Sequence, residues 1–229
     1  MNLIITCEHA GNQVPEIYDH LFADVKEVLQ SHRGWDPGAL EIARFLATEF
    51  SAPLFTCETT RLLIEPNRSL HSHQLYSEYS RKLFETDHDQ ILQLYYYPHR
   101  NGVEELIAKA AKPVVQLSIH SFTPVLNGHK RLVDVGLLFD PDRKAESHFC
   151  KKLLDGLELA LPRLTIKFNE PYKGTDDGFT TYLRTKFDDA EYLGIEIEVN
   201  QKFLGTEKWE MIAMGLKEVL SDVLFSDHS

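Results

Sequence analysis

The sequence predicts an α/β fold, a mostly parallel sheet carrying helices on both faces. Three observations point there. Short apolar runs rich in Val, Ile and Leu recur along the chain, and they alternate with stretches of helical periodicity. Residues that carry chemistry stand where two of those runs end, which is where open α/β sheets bind ligands.

Taken in order, residues 2–7 are the first strand, ending at Glu8-His9-Ala10-Gly11-Asn12. Residues 37–50 form a helix, with Pro37 suited to its first turn and Leu40, Ala43, Leu46 and Ala47 at helical spacing. Residues 53–57 are a second strand, and Leu62-Leu63-Ile64 reads as a further short strand running into Asn67-Arg68. A long helical stretch over 78–94 is followed by a helix over 99–111 and the central strand 114–119, which ends at His120-Ser121. Strand 133–139 closes in the turn Asp140-Pro141-Asp142, and a helix over 143–160 leads to strand 164–168. A helix over 177–186, a strand over 192–199 and a helix over 207–224 complete the chain.

A length of 229 residues suits one sizeable α/β domain spanning 1–229, and the 43% hydrophobic and 26% charged fractions are ordinary for a globular protein. No apolar run is long enough for a membrane span, and Met1-Asn2 leads straight into a strand, so no membrane association and a cytoplasmic location are expected. Cys7, Cys57 and Cys150 are odd in number and contain no CxxC pair, which fits buried thiols in a reducing compartment. The net charge of −11 would repel phosphate backbones and excludes nucleic acid as an expected partner, while oligomeric state stays open.

The candidate chemistry is a metal site beside an anion clamp. His9 and His120 stand at two strand ends, and a catalytic zinc typically takes His and carboxylate ligands while keeping one position open. Glu8 and Asp36 are the candidates for a third ligand, and Asp36, where a helix begins, also reads as an N-cap. Arg61 and Arg68 lie among apolar residues of an acidic chain; a guanidinium grips a carboxylate bidentately, Asn67 adds a neutral donor, and Arg61 suits polarising a carbonyl. In 194–201, period-two alternation puts Glu196, Glu198 and Asn200 on one face opposite Ile195, Ile197 and Val199. These acids belong either to a solvated strand near the sheet edge or to a base that moves a proton during metal-assisted hydrolysis. Tyr172 and Lys173 sit in a polar loop that could close over a substrate, and His99 is a further histidine of interest. Together these features predict a metal-dependent hydrolase acting on a small acidic molecule.

At these residues the chain resembles the N-formylglutamate amidohydrolase family. The resemblance runs through Cys7 to Asn12 with Pro15, His32-Arg33-Gly34-Trp35-Asp36-Pro37-Gly38-Ala39, Arg61 with Asn67-Arg68-Ser69, Tyr97-Pro98, His120 to Pro124, Asn169-Glu170-Pro171-Tyr172 and the acidic strand Glu196 to Asn200. That family is itself similar to zinc carboxypeptidases and to the aspartoacylase and succinylglutamate desuccinylase group. The resemblance implies a three-layer α/β/α sandwich with a mixed sheet, phosphorylase/hydrolase-like and zinc-peptidase-like, holding one zinc. It implies metal ligation by His9 and His120, a substrate carboxylate held by Asn67 and Arg68, Arg61 facing the carbonyl oxygen, and Glu198 as general base with Glu196 in reserve. The related peptidases carry a Glu three residues after the first metal His; Asn12 stands there, so Asp36 is the expected carboxylate ligand. The implied activity is hydrolysis of the N-acyl amide of an acidic amino acid, with formyl as one candidate; a peptidase or amidase on a small peptide, or a metal-free binding module, are the alternatives.

Overall fold

The computed structural model describes residues 1–225. Strands β1 (Asn2–Cys7), β2 (Leu54–Thr56), β3 (Val114–Phe122), β6 (Val135–Leu138), β7 (Ile166–Phe168) and β8 (Tyr192–Asn200) form one sheet in the order β2-β1-β3-β8-β6-β7; β4 (Val125–Leu126) and β5 (His129–Lys130) form a separate hairpin. β2, β1, β3 and β8 pair in parallel, β6 runs antiparallel to β8, and β7 is parallel to β6. The sheet is therefore mixed and mostly parallel, as expected.

Helices α2 (Ala39–Phe50), α5 (Lys144–Ala160) and α7 (Glu207–Phe225) cover one face. Against them the strands present only apolar side chains: Ile5 and Cys7, Val115, Leu117 and Ile119, and Ile195, Ile197 and Val199. Helices α4 (Tyr97–Lys109) and α6 (Phe179–Arg184) cover the other face, but only its first rows are apolar, with Ile4, Val114 and Tyr192 packed on Val103, Ile107 and Phe179. Beyond them come Thr6 and Gln116, then Glu8, Ser118 and Glu196, then His120 and Glu198. Side chains two apart share a face, so one face is core throughout while the other turns from core to chemistry along the strand direction.

Three expectations are corrected. The acidic strand β8 does not lie near the sheet edge; it is interior, between β3 and β6. Leu62-Leu63-Ile64 is not a strand: Leu63 N–H donates to Thr60 O (3.0 Å), closing a turn, and Glu65 N–H donates across to Leu75 O (2.9 Å). The apolar run is nevertheless buried, in a satellite core with Tyr18, Phe22, Leu75, Ile91 and Tyr96, so the burial is real and only the backbone differs. This second core lies under the excursion that contains the short helix α1 (Lys26–Gln30), and the long helix expected over 78–94 shortens to α3 (Glu85–Ile91) followed by a π-helical segment, Leu92–Tyr96. Among the described residues no helix is long and apolar enough to cross a membrane.

The loop 169–174 is laid directly on β6. Asn169 Oδ1 accepts from Phe139 N–H (3.1 Å) and Gly174 N–H (2.9 Å), and a Cβ on Gly136 would meet Glu170 O at 2.0 Å. Gly136→Ala should therefore lower stability by about 1–3 kcal/mol through overpacking. It should also loosen the loop that carries Tyr172. Denaturant titration alongside a ligand-binding assay reads both effects.

Candidate metal centre and anion pocket

Three buried side chains meet at the carboxyl ends of β1 and β3. His9 Nδ1 lies 3.1 Å from Asp36 Oδ2 and 3.1 Å from His120 Nδ1, and Asp36 Oδ2 lies 2.9 Å from His120 Nδ1. His9 lies two residues past the end of β1, and His120 lies within β3. Asp36 is brought in by its backbone, whose N–H donates to His9 O (3.0 Å), and by Ser121 Oγ, which donates to Pro37 O (2.7 Å). Its side chain makes no helix cap: the residue preceding α2 is Gly38, at φ +82°, with no side-chain cap. These three residues are a cluster with the makeup to hold a metal ion.

Each imidazole is held from behind by a carboxylate. Glu65 Oε1 lies 2.5 Å from His9 Nε2, and Glu8 Oε2 lies 3.2 Å from His120 Nε2 and accepts from Ser118 Oγ (2.5 Å). With the Nε2 atoms so engaged, both Nδ1 atoms turn toward Asp36. Of the two carboxylates the sequence left open as third ligand, Asp36 is in the cluster and Glu8 stands on the far side of His120. Glu8 also faces His99 Nε2 at 3.4 Å. Burial lowers the basicity of the His99 ring, but the Cys57 thiol and Glu8 outweigh it and push its pKa up to about 10.

Arg61 joins the first imidazole to the carboxylate ligand. It pairs with Glu65 through Nε (2.7 Å) and Nη2 (2.5 Å), and with Asp36 Oδ1 through Nη1 (3.3 Å). A guanidinium has five N–H donors, so two remain. Burial alone would raise the Asp36 and Glu65 carboxyls; for Asp36 the His9 and His120 rings and Arg61, and for Glu65 the Arg61 guanidinium and His9, hold them far below the usual carboxylate range. Burial alone would lower the His120 ring, yet Asp36 and Glu8 raise it well above the ordinary histidine value. A site that depresses its acids and charges its histidine is one with a strong call for positive charge, which a divalent cation answers.

The cluster opens into a cavity of about 170 Å³ lined by residues that include His32, Arg61, Asn67, Arg68, Tyr172, Glu196 and Glu198. Among the described residues Arg68 is hydrogen-bonded by neutral acceptors: Nε donates to Gln74 Oε1 (3.1 Å), and Nη1 donates to Asn67 O (3.1 Å) and Asp177 O (2.7 Å). Its charge helps hold the Glu65 carboxyl low. Asn67 Oδ1 accepts from Phe179 N–H (2.7 Å), which orients the amide.

Glu198 pairs in register with His120 across β3 and β8, so the two side chains share a face. Its Oε2 is buried without a hydrogen-bond partner. Desolvation, with Asp36 and Glu196 adding repulsion against the attraction of His120, pushes its carboxyl up to about 8. Glu196, one step further from the strand end, instead accepts from Thr180 Oγ1 (2.5 Å). The Tyr172 hydroxyl accepts from Arg131 Nη2 (2.9 Å), and burial and Glu198 raise its phenol.

The structure places His9, Asp36, His120, Arg61, Asn67, Arg68, Tyr172 and Glu198, all expected from the sequence, around one cavity. The sequence reading missed Glu65, whose signal was present: it stands four residues after Arg61, at the end of an apolar run and before Pro66. It also missed His32 in the pocket wall and the role of Asp177, which accepts from Ser69 N–H (3.1 Å) as well as from Arg68.

Residues 1–204 match the model of the N-formylglutamate amidohydrolase family. A crystal structure of a gene product of Agrobacterium tumefaciens is 32% identical, with a TM-score of 0.84 over 100% of this chain and 92% of that one. The fold is also similar to that of an N-formylglutamate amidohydrolase from Ralstonia eutropha, 17% identical, with a TM-score of 0.62 over 95% of this chain and 91% of that one. No protein of curated function matches the sequence significantly.

The arrangement separates ligand from support by experiment. Purified protein should carry about one divalent ion per chain by mass spectrometry, and Asp36→Ala should abolish binding. Glu8→Gln and Glu65→Gln should keep the ion but weaken its affinity by about 10–100-fold, as loss of an outer carboxylate does. Chelator competition measures the difference.

Proposed function

The chain belongs to the N-formylglutamate amidohydrolase family, and from that premise we propose that it is a zinc-dependent amidohydrolase removing an N-acyl group, with formyl as one candidate, from a small acidic amino acid. The observation that carries this reading is the triangle of His9 Nδ1, Asp36 Oδ2 and His120 Nδ1, with edges of 2.9–3.1 Å, beside a buried Glu198 and the guanidinium of Arg68 in the same cavity. Ligand atoms about 2.0–2.1 Å from a tetrahedral zinc stand about 3.3–3.4 Å from one another, so the triangle matches one face of such a site within a few tenths of an ångström. Two imidazoles and one carboxylate also leave a fourth position open, the pattern of catalytic rather than structural zinc.

When bound, zinc supplies Lewis-acid activation of water and of the amide carbonyl. The chain's own residues do the rest. Arg68 and Asn67 bind a substrate carboxylate and set the amide over the triangle. Glu198 takes a proton from the attacking water as the C–O bond forms, then gives it to the amine nitrogen as the C–N bond breaks. Its desolvated carboxyl, with pKa near 8, suits both directions of transfer near neutral pH. Arg61, anchored on two carboxylates, presents its remaining N–H donors to the carbonyl oxygen as negative charge develops there. The cavity of about 170 Å³ is small beside the about 300–1,000 Å³ of drug-sized sites, which favours an acyl-amino acid over a peptide.

Glu198→Gln should lower kcat by about 10²–10⁴-fold, the usual contribution of a general base, with the metal content unchanged. Arg68→Met should instead raise KM for N-acyl acidic amino acids while kcat changes less. Steady-state kinetics on N-formyl- and N-acetylglutamate, paired with metal analysis, checks both; full turnover in Glu198→Gln moves the base elsewhere.

A further inference from the structure

The helical stretch from α3 to α4 carries buried polar side chains that the proposed mechanism does not use. Its π-helical turn, Leu92–Tyr96, closes with Tyr97 N–H donating to Leu92 O, five residues back. That spacing puts Ile91 and Tyr96 on one side, in the satellite core. From Tyr96 the same stripe continues at steps of three and four through His99, Arg100, Val103 and Ile107, and the last two pack under the main sheet. Where the two cores meet the stripe turns polar: Tyr96, His99 and Arg100 are all buried. An imidazole and a guanidinium on a packing face cost free energy unless each is engaged.

Each is engaged by the site. Tyr96 Oη donates to Arg68 O (2.7 Å) and Arg100 Nη1 to Pro66 O (3.0 Å), so the backbone on either side of Asn67 is fastened to one helical turn. The guanidinium carbon of Arg100 lies 4.4 Å from the centroid of the Phe179 ring and 4.5 Å from that of Tyr182. Phe179 is the residue whose N–H orients the Asn67 amide. His99 Nε2 lies 3.4 Å from Glu8 Oε1, while the other oxygen of that carboxylate lies 3.2 Å from His120 Nε2. None of the three lines the cavity; each reaches it through Asn67, Arg68 or His120, which do.

We propose that Tyr96, His99 and Arg100 form one positioning face, which sets the Asn67-Arg68 substrate clamp and the metal histidine His120 at a fixed separation. Tyr96 and Arg100 position the clamp through its carbonyls, and His99 positions His120 through Glu8. A single helical turn is stiff, so the scissile amide of a substrate gripped at the clamp arrives at the same distance from His9, Asp36 and His120 each time. This rests on the reading that the clamp binds a substrate carboxylate and that His120 binds the metal.

The test asks whether the two outputs of the face separate. Tyr96→Phe keeps the ring and its packing and removes only the hydroxyl. It should raise KM for N-acetylglutamate by about 3–10-fold, the scale of one lost hydrogen bond, with kcat and zinc affinity unchanged; Arg100→Met should do the same. Amide exchange over residues 65–69 should quicken in Tyr96→Phe while exchange over β3 stays as in the wild type. His99→Leu should instead weaken zinc in chelator competition by about 3–10-fold, less than the about 10–100-fold expected for loss of an outer carboxylate, and leave KM alone. His99→Gln, which keeps an N–H donor for Glu8, should recover most of that affinity. Unchanged KM and exchange in Tyr96→Phe, or variants that all lose zinc, kcat and thermal stability together, would show a face that only packs and overturn the proposal. If the wild type hydrolyses neither N-formyl- nor N-acetylglutamate the proposed activity falls, while zinc affinity and amide exchange still decide the positioning face.

Discussion

The structure depends on a closed ring of hydrogen bonds around Asp36. His9 meets Glu65, Glu65 meets Arg61, Arg61 meets Asp36, and Asp36 returns to His9, each link between 2.5 and 3.3 Å. A parallel device holds His120 through Glu8 and Ser118. Four side chains charged or chargeable at neutral pH would be costly to bury singly; linked in a ring, each satisfies its neighbour. The consequence is orientation. Both imidazoles are turned so that the nitrogens nearer their own backbones converge on one carboxylate oxygen, and outer carboxylates of this kind raise the basicity of the rings they hold.

The sheet makes this possible because its two faces do different work. One is apolar from end to end and anchors α2, α5 and α7, so the strands are held rigidly. The other spends its first rows on packing and its last rows on Glu8, Ser118, His120, Glu196 and Glu198. Placing β8 inside the sheet rather than at its edge sets Glu198 beside His120 in register and strips it of water. That desolvation raises its carboxyl, as the proposed transfer of a proton first to and then from Glu198 requires. Family membership agrees with this chemistry, since an amidohydrolase must move one proton from water to a leaving amine.

Much of the site is legible in the sequence because strand ends are. His9 and His120 follow apolar runs that can only be buried strands, and Glu196 and Glu198 show the period of two that puts them on one face. Arg61 and Arg68 are conspicuous as cations among apolar residues. Other parts are written in tertiary contacts. Nothing local separates Glu8 from Asp36 as a ligand; that depends on which side of His120 each carboxylate reaches. Leu62-Leu63-Ile64 reads as a strand because burial alone was visible, while its turn backbone follows from Thr60, Leu75 and the satellite core.

The central claim is that His9, Asp36 and His120 jointly hold one catalytic metal ion. Anomalous diffraction at the zinc edge, from crystals grown with zinc, tests it most directly. The account predicts one dominant peak about 2.0–2.1 Å from His9 Nδ1, His120 Nδ1 and an Asp36 oxygen, with Glu198 close by but not coordinated. A peak held by Glu8 or Glu65 instead, or none between the two histidines, would contradict it.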